Sequence, residues 1–169
     1  IGPVDLTHGT VQGMESVPTV TDNLLKQGTI KTASIGIFYA PTTGENLPNG
    51  EMTFGGVDES KFVTTMPIKY VPITKTSPAC KYWGVDQVVK YDGQQILNSC
   101  AGIVDTGTTL TMLATDCFEK YMKMTGAVMD DATGLLTVTE GQYKNMKSMM
   151  SHIGDMCCEL TSYAQIWPL

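Results

Sequence analysis

One aspartate, Asp105, stands where an apolar run meets a turn of small and hydroxyl residues. Residues 103–109 read Ile-Val-Asp-Thr-Gly-Thr-Thr. Gly107 has no side chain, so it allows the backbone to approach the carboxylate closely. Its N–H and the hydroxyls of Thr106 and Thr108 can donate hydrogen bonds, which favour the ionised carboxylate and fix its plane. The pattern predicts a carboxylate prepared for acid–base chemistry, at the end of a strand that its apolar residues bury.

A single carboxylate does not make a mechanism. Hydrolysis by carboxylates requires two groups whose pKa values are pushed apart. The acids Asp86, Asp92, Asp130 and Asp131 occupy exposed or turn-like contexts, and none has flanking residues like those of Asp105. Asp-Thr-Gly is also a common turn, so the string alone is weak evidence. The sequence therefore offers half of a catalytic pair.

Other kinds of site leave no signal in this sequence. It contains neither a G-x-S-x-G nucleophile elbow nor a glycine-rich phosphate loop. With no C-x-x-C spacing and only two histidines, neither a metal site nor a cofactor is predicted.

The five cysteines predict no unique disulfide pattern. They are Cys80, Cys100, Cys117, Cys157 and Cys158. An odd number leaves at least one without an internal partner, and most are expected to be small buried apolar residues. Cys157 and Cys158 are neighbours, so on a strand they would point to opposite faces. The sequence does not decide whether Cys117 forms a disulfide with one of these two cysteines.

The composition limits the partners of the chain. Lysine and arginine total 11 against 17 acidic residues, a net charge of −6 that disfavours nucleic acid and anionic membranes. No eighteen-residue apolar window occurs, so no membrane span is predicted. The chain begins at Ile1 and not at Met, which predicts that these residues are part of a longer translation product; no signal peptide is expected within them.

Periodicity and turn residues predict many short strands and a few helices. The predicted helices cover residues 19–27, 115–126 and 140–150, with Gly28 ending the first and Thr115 capping the second. A capping box opens the third, and its methionines are expected to fill the core. Asn49-Gly50 and Asp92-Gly93 are hairpin signals. Strands are predicted at 33–40, 51–55, 67–73, 82–91, 95–98, 101–104, 110–113, 135–138 and 157–161.

Several strings, in order along the chain, resemble the markers of pepsin-like aspartic proteases. Residues 101–110 resemble the second active-site motif of that family. Markers of the lobe-boundary helix, a glycine-rich hairpin and two later strands match residues 17–28, 49–58, 70–73 and 82–85. The segments 2–7 and 164–168 resemble those of a secreted fungal member. The resemblance covers nearly the whole chain.

The resemblance implies a mainly β fold, the pepsin-like acid protease fold. This chain would supply a partial C-terminal lobe with a few short helices. Residues 1–32 would form the lobe-boundary segment and a short helix, and residues 33–169 an incomplete C-terminal lobe. The N-terminal lobe with its own aspartate, and the closing segment of the family, are missing. The isolated chain is therefore expected to be inactive.

The resemblance also implies an activity and its residues. The parent would be a secreted, extracellular aspartic endopeptidase that hydrolyses protein or peptide substrates at acidic pH, using two aspartates that activate a water molecule. Asp105 would be the second-lobe aspartate. The supporting loop residues would be Thr106, Gly107 and Thr108, and the cleft-lining residues would be Ile103 and Tyr82. No cofactor, nucleic acid or membrane would take part.

Two other interpretations stay open. The chain could be a non-catalytic binding or pseudoenzyme module derived from such a lobe. It could also dimerise in the retroviral manner, with two single-aspartate chains forming one site. About a hundred residues precede the motif here, whereas retroviral-type chains carry it near the N-terminus. An upstream Asp-Thr-Gly-Ser in the coding sequence would favour the two-lobed enzyme.

Overall fold

A computed structural model of the chain describes residues 2–3, 11–13, 16–41, 44, 47–62, 65 and 67–167. The chain forms two compact units, Gly2–Tyr70 and Val71–Leu169. The candidate aspartate lies in the second unit. Of the predicted lead-in over residues 1–18, the segment 4–10 and residues 1, 14 and 15 lie outside the described part.

The first unit contains one short helix and a two-stranded sheet. Helix α1 spans Val20–Lys26, and its N-terminus carries a capping box between Thr19 and Asp22. Gly28 has φ 74°, which confirms the prediction that a left-handed glycine ends this helix. Strands β1, Ile35–Phe38, and β2, Glu51–Phe54, pair in antiparallel fashion.

The connection between β1 and β2 is longer than the Asn49-Gly50 signal suggests. Phe38 pairs with Glu51, so residues 39–50 form the link and Asn49-Gly50 does not close a two-residue hairpin. The amide of Asn49 instead donates a hydrogen bond to the Pro41 carbonyl at 2.9 Å. Of the predicted polar loop over 41–50, residues 42, 43, 45 and 46 lie outside the described part, and within the described part Asn49 bonds back to Pro41.

The second unit is built on a four-stranded antiparallel sheet in the order β4-β3-β7-β8. Its strands are β3 (Gly84–Tyr91), β4 (Gln94–Ile103), β7 (Met149–Ile153) and β8 (Met156–Leu160), with a separate hairpin of β5 (Val128–Asp130) and β6 (Leu135–Thr137). Helices α2, Thr115–Thr125, and α3, Glu140–Asn145, lie between these strands in the sequence. With its few short helices, the fold is mainly β, as predicted.

The β3–β4 hairpin follows from its turn residues. Asp92 and Gly93 both have positive φ, 47° and 74°. Such a pair forms the two-residue turn whose twist suits antiparallel strands, which confirms the hairpin prediction. β4 runs as one long strand through both segments that the sequence predicts separately, 95–98 and 101–104. The hairpin therefore carries the chain directly to residue 104.

The core of this unit lies between the sheet and α2. The buried residues that cluster there are Val89, Tyr91, Ile96, Leu97, Cys117 and Met149. Tyr121 of α2 meets Tyr91 edge to face at 5.4 Å, and its hydroxyl donates to the Gln165 side chain at 3.0 Å. Burial raises the pKa of Tyr121 to about 12. Ile96 and Leu97 of β4 share the cluster with Cys117 of α2, which holds the strand that leads to Asp105 against the helix.

Two predicted strands are absent. Residues 67–75 and 111–114 form no ladder. Pro67 and Pro72 lack the N–H that a ladder requires, which accounts for the first segment. The second segment runs directly into α2, so its apolar character reflects packing beside the core rather than strand pairing; Leu113 packs there.

The third predicted helix ends early, and two strands, β5 and β7, were not predicted. α3 stops at Asn145, because residues from Met149 onward pair with β3 as strand β7. Sheet pairing outweighs local helix propensity in this segment. Met146 and Met149 are buried, which confirms their expected role in the core. Strand β5, at Val128–Asp130, was not predicted.

The capping box of α3 forms as predicted, whereas the predicted cap of α2 does not. Thr139 Oγ1 accepts a hydrogen bond from the Gln142 N–H at 3.2 Å, and Gln142 Oε1 accepts one from the Thr139 N–H at 2.7 Å. At α2 the N-cap is Ala114, with no side-chain bond. Thr115 is already helical, so its hydroxyl is not in the capping position.

The two threonines give a matched test of capping. Thr139→Ala removes the acceptor for an otherwise unpaired helical N–H, so the free energy of unfolding should fall by about 1 kcal/mol. Thr115→Ala should change it by less than about 0.5 kcal/mol. Urea unfolding of both variants measures the difference. Equal losses would contradict the observed assignment of the two caps.

All five cysteines are free thiols. The disulfide left open from Cys117 to Cys157 or Cys158 does not form, because Cys117 is fully buried in the core and the other two are exposed on β8. Cys117 fits the expectation of a small buried residue, and Cys157 and Cys158 do not. None of the helices in the described ranges has the length and apolar character of a membrane span.

Candidate active site

The end of the β3–β4 ladder positions Asp105. Ile103 pairs with Gly84, and beyond this pair the Val104 N–H donates to the Trp83 carbonyl at 2.9 Å. Tyr82 is half-buried and lies just before β3, where it ends a short 3-10 turn at Ala79–Lys81. Sequence reasoning missed the backbone role of Trp83, because a carbonyl partner leaves no signal in the residue type.

The turn after β4 holds the Asp105 carboxylate by both of its oxygens. The Gly107 N–H donates to Oδ1 at 2.9 Å, and the Thr108 hydroxyl donates to Oδ2. Thr106 lies between them, half-buried. A Cβ at position 107 would lie 3.3 Å from Oδ1. A glycine at this position therefore lets the turn close on the carboxylate, as the sequence predicts for Gly107 and Thr108.

These hydrogen bonds change the acidity of the group. The bond from the Thr108 hydroxyl, and then that from the Gly107 N–H, lowers the pKa of Asp105 below its usual value. The sequence predicts only that such donors favour ionisation, and the direction agrees. In this chain the carboxylate stays ionised to lower pH than an ordinary aspartate.

A second turn in the chain makes the same hydrogen bonds. Asp130 accepts from the Thr133 hydroxyl at 2.6 Å and from the Ala132 N–H at 3.2 Å, and its pKa is also lowered, first by Thr133. The bonding pattern alone therefore does not identify a catalytic carboxylate. Asp130 lies in the tight β5–β6 turn, whereas Asp105 follows the end of β4, an edge strand of the four-stranded sheet.

The residues before Asp105 are more exposed than predicted. Ile103 is 46% exposed and Val104 59%, so the expectation that they bury their strand is wrong. The core contacts of β4 are made near Ile96 and Leu97, several residues earlier, and the strand runs past them to the edge of the unit. Asp105 is itself exposed. The carboxylate thus lies on an open surface with apolar neighbours.

The described residues contain a surface pocket of about 280 Å³ close to this strand. Its lining includes Gln87, Cys100, Met112 and Cys158, but not Asp105. Within the described ranges, no three His, Cys, Asp or Glu side chains lie close enough together to hold a metal ion. The pocket lies beside the candidate site and is not part of it.

Removing the Thr108 hydroxyl should raise the pKa of Asp105. In Thr108→Val the carboxylate loses its largest pKa-lowering contact. Because the folded pKa is depressed, the hydrogen bonds stabilise the fold above the unfolded pKa, and this stabilisation is lost as pH falls through the folded pKa. Carbon NMR titration of aspartate carboxyls measures the shift. Thr133→Val should move only Asp130, and an unmoved Asp105 in Thr108→Val would contradict the assigned contact.

Comparison with known proteins shows which family the chain resembles. The family model described as eukaryotic aspartyl protease matches residues 6–167. The chain is 54% identical to polyporopepsin of Irpex lacteus over 171 residues, which cover 99% of this chain and 50% of that protein. This is the fungal member whose terminal segments the sequence resembles. Rhizopuspepsin-1 of Rhizopus niveus is 33% identical over 82% of this chain and 34% of its own length.

A solved structure agrees with this result. The crystal structure of the aspartic proteinase from Irpex lacteus matches the chain with a TM-score of 0.91 and 55% identity, covering 99% of this chain and 49% of that one. The chain therefore has the pepsin-like fold that the sequence predicts. It spans about half the length of these two relatives from Irpex lacteus.

Proposed function

The chain belongs to the eukaryotic aspartyl protease family, and we propose that it supplies the second-lobe half of an endopeptidase acting at acidic pH. The substrates are proteins or peptides, and the peptide bond is hydrolysed by a water held between two aspartates. The observation that supports this most directly is the family match over residues 6–167, together with the position of Asp105 just after β4, where a turn binds both carboxylate oxygens.

Asp105 acts together with a second carboxylate from outside these 169 residues. One carboxylate is ionised and takes a proton from the water as it attacks, while the other is protonated and polarises the peptide carbonyl. Two such groups side by side cannot both ionise easily, so the pKa values belong to the pair and activity favours acidic pH. The bonds from Gly107 and Thr108 keep the carboxylate plane fixed during this exchange.

The surrounding residues have supporting roles in this proposal. Thr106 braces the loop against the other lobe, while Gly107 and Thr108 orient the carboxylate. Tyr82 and Ile103 line the substrate cleft. The exposed side chain of Ile103 supports this, because an apolar surface beside a carboxylate suits contact with a peptide.

The proposal extends to the organisation and location of the protein. Residues 1–32 form the lobe-boundary segment with its short helix, and residues 33–169 form an incomplete C-terminal lobe. The enzyme is extracellular. The N-terminal lobe is the partner that completes the cleft, so the isolated chain has no measurable peptidase activity.

A chimera tests the proposal. The segment of polyporopepsin that aligns with this chain is replaced by these 169 residues, so that the first aspartate returns in a related framework. The chimera should hydrolyse an acid-denatured protein at acidic pH, and the 169-residue chain alone should not. Circular dichroism of both, with the unmodified enzyme as reference, checks folding. A folded chimera that binds peptides without cleaving them would instead support the non-catalytic module.

A further inference from the structure

The β7–β8 hairpin brings a thiol and an imidazole together on one face of the sheet. His152 and Cys157 are directly opposite each other in the antiparallel register. The thiol sulfur lies 3.8 Å from His152 Nε2, within hydrogen-bonding range for sulfur. Cys157 is exposed and His152 is half-buried. A small molecule can therefore reach the sulfur while the histidine is held by the sheet.

The turn that closes this hairpin fixes the register of the pair. Gly154 and Asp155 form a two-residue loop, and Gly154 has φ 59° at the position where such a turn favours glycine. A Cβ on Gly154 would lie 2.9 Å from the Val71 side chain, so the turn also packs closely against its neighbour. The turn therefore sets the strand register that places His152 opposite Cys157.

The next residue provides an internal comparison. Cys158 is also exposed, but successive strand residues point to opposite faces. Its cross-strand partner is Ser151, and it borders the pocket beside β4. Two cysteines of similar exposure on one strand thus differ in whether an imidazole contacts the sulfur.

We propose that Cys157 is a reactive thiol, activated by His152, that exchanges with small disulfides to form a mixed disulfide. An adjacent base activates a cysteine by accepting its proton as the sulfur attacks. Thiol–disulfide exchange requires loss of the thiol proton and an accessible sulfur. His152 Nε2 is placed to accept that proton during the attack, and Cys157 is exposed. The proposal uses none of the residues around Asp105 and stands independently of the peptidase function.

Glutathione disulfide is the oxidant in this exchange, and the step balances. The proton of the Cys157 thiol passes to His152 Nε2 as the sulfur bonds to one sulfur of glutathione disulfide. The S–S bond of glutathione disulfide breaks, and the leaving thiolate takes the proton back from the imidazolium. Cys157 is oxidised to the mixed disulfide, and one equivalent of glutathione is released in reduced form.

The experiment measures glutathione transfer to each cysteine of the whole chain. Cys157→Ser and Cys158→Ser leave a single thiol on β8 in each variant. Both proteins are incubated with glutathione disulfide at neutral pH, and the rate of modification at the remaining thiol is followed by peptide mass spectrometry. Cys157 should react at least about tenfold faster than Cys158.

His152→Gln separates activation from simple exposure. It should slow modification of Cys157 to about the rate of Cys158, while the rate of Cys158 stays unchanged and so reports on the local structure. If that variant fails to fold, the test rests on the ratio of the Cys157 modification rate to the Cys158 modification rate in the two serine variants. Equal rates at the two thiols, or a Cys157 rate that survives His152→Gln in the folded protein, would overturn the proposal.

Discussion

In the polyporopepsin chimera, Asp105→Asn should lower kcat by on the order of 10⁴-fold or more, with KM little changed. An amide cannot accept the proton of the attacking water, and it cannot share a proton with the other carboxylate. The fold should tolerate the change, because Asp105 is exposed and asparagine has nearly the same shape. Initial rates on a peptide substrate at acidic pH measure the effect.

Asp130→Asn is the matched control for that experiment. Asp130 accepts the same two kinds of hydrogen bond within its own turn, from Ala132 and Thr133. Because it lies in the β5–β6 hairpin, its replacement should leave kcat within about twofold. Similar losses in both variants would mean that activity depends on turn stability rather than on the carboxylate at position 105.

Gly84→Ala should lower the free energy of unfolding by about 3 kcal/mol. Gly84 is buried at the start of β3, and an added Cβ would lie 2.3 Å from the Ala79 carbonyl oxygen and 2.8 Å from the Thr74 methyl carbon. The backbone cannot move aside easily, because the Thr74 N–H donates to the Gly84 carbonyl at 2.9 Å. Denaturant unfolding followed by fluorescence measures the loss.

The control for Gly84 is a glycine in the same unit that has open space. Gly141 lies in the first turn of α3, where an added Cβ meets nothing nearer than 4.0 Å. Alanine favours the helix, so Gly141→Ala should raise stability by up to about 1 kcal/mol. A Gly84→Ala variant as stable as the parent would show that the strand start can shift, and that the close approach is not obligatory.

Features of the fold that depend on neighbouring residues could be predicted from the sequence. Asp92-Gly93 turns the β3–β4 hairpin because both residues adopt positive φ, and the Thr139–Gln142 box begins α3 because its two side chains satisfy nearby N–H groups. These signals act over two to four residues. Such local signals predict these two features, because the atoms that interact are close in the sequence whatever the rest of the fold.

Features that depend on distant residues could not be predicted. The sequence predicts a helix as far as residue 150, yet residues 149–153 pair with β3 as strand β7. Strand β5 is three residues long and depends on β6 for its hydrogen bonds. The exposure of Val104 likewise depends on where the core ends, since an apolar residue signals burial only if other elements reach it.

For the candidate site, the sequence predicts the turn better than the function. The donors Gly107 and Thr108 follow from the residue types beside Asp105, and both contact the carboxylate. The turn at Asp130 has the same bonds, so local chemistry does not separate the two acids. The chain's family membership and the position of Asp105 at the end of β4 favour Asp105.

A crystal structure of the chimera with a peptide analogue tests the catalytic role of Asp105 most directly. The analogue carries a secondary alcohol in place of the cleaved bond, which imitates the tetrahedral intermediate. The alcohol oxygen should lie within about 3 Å of an Asp105 carboxylate oxygen, facing the aspartate of the first lobe. An analogue bound with its alcohol remote from Asp105 would contradict the role assigned to this carboxylate.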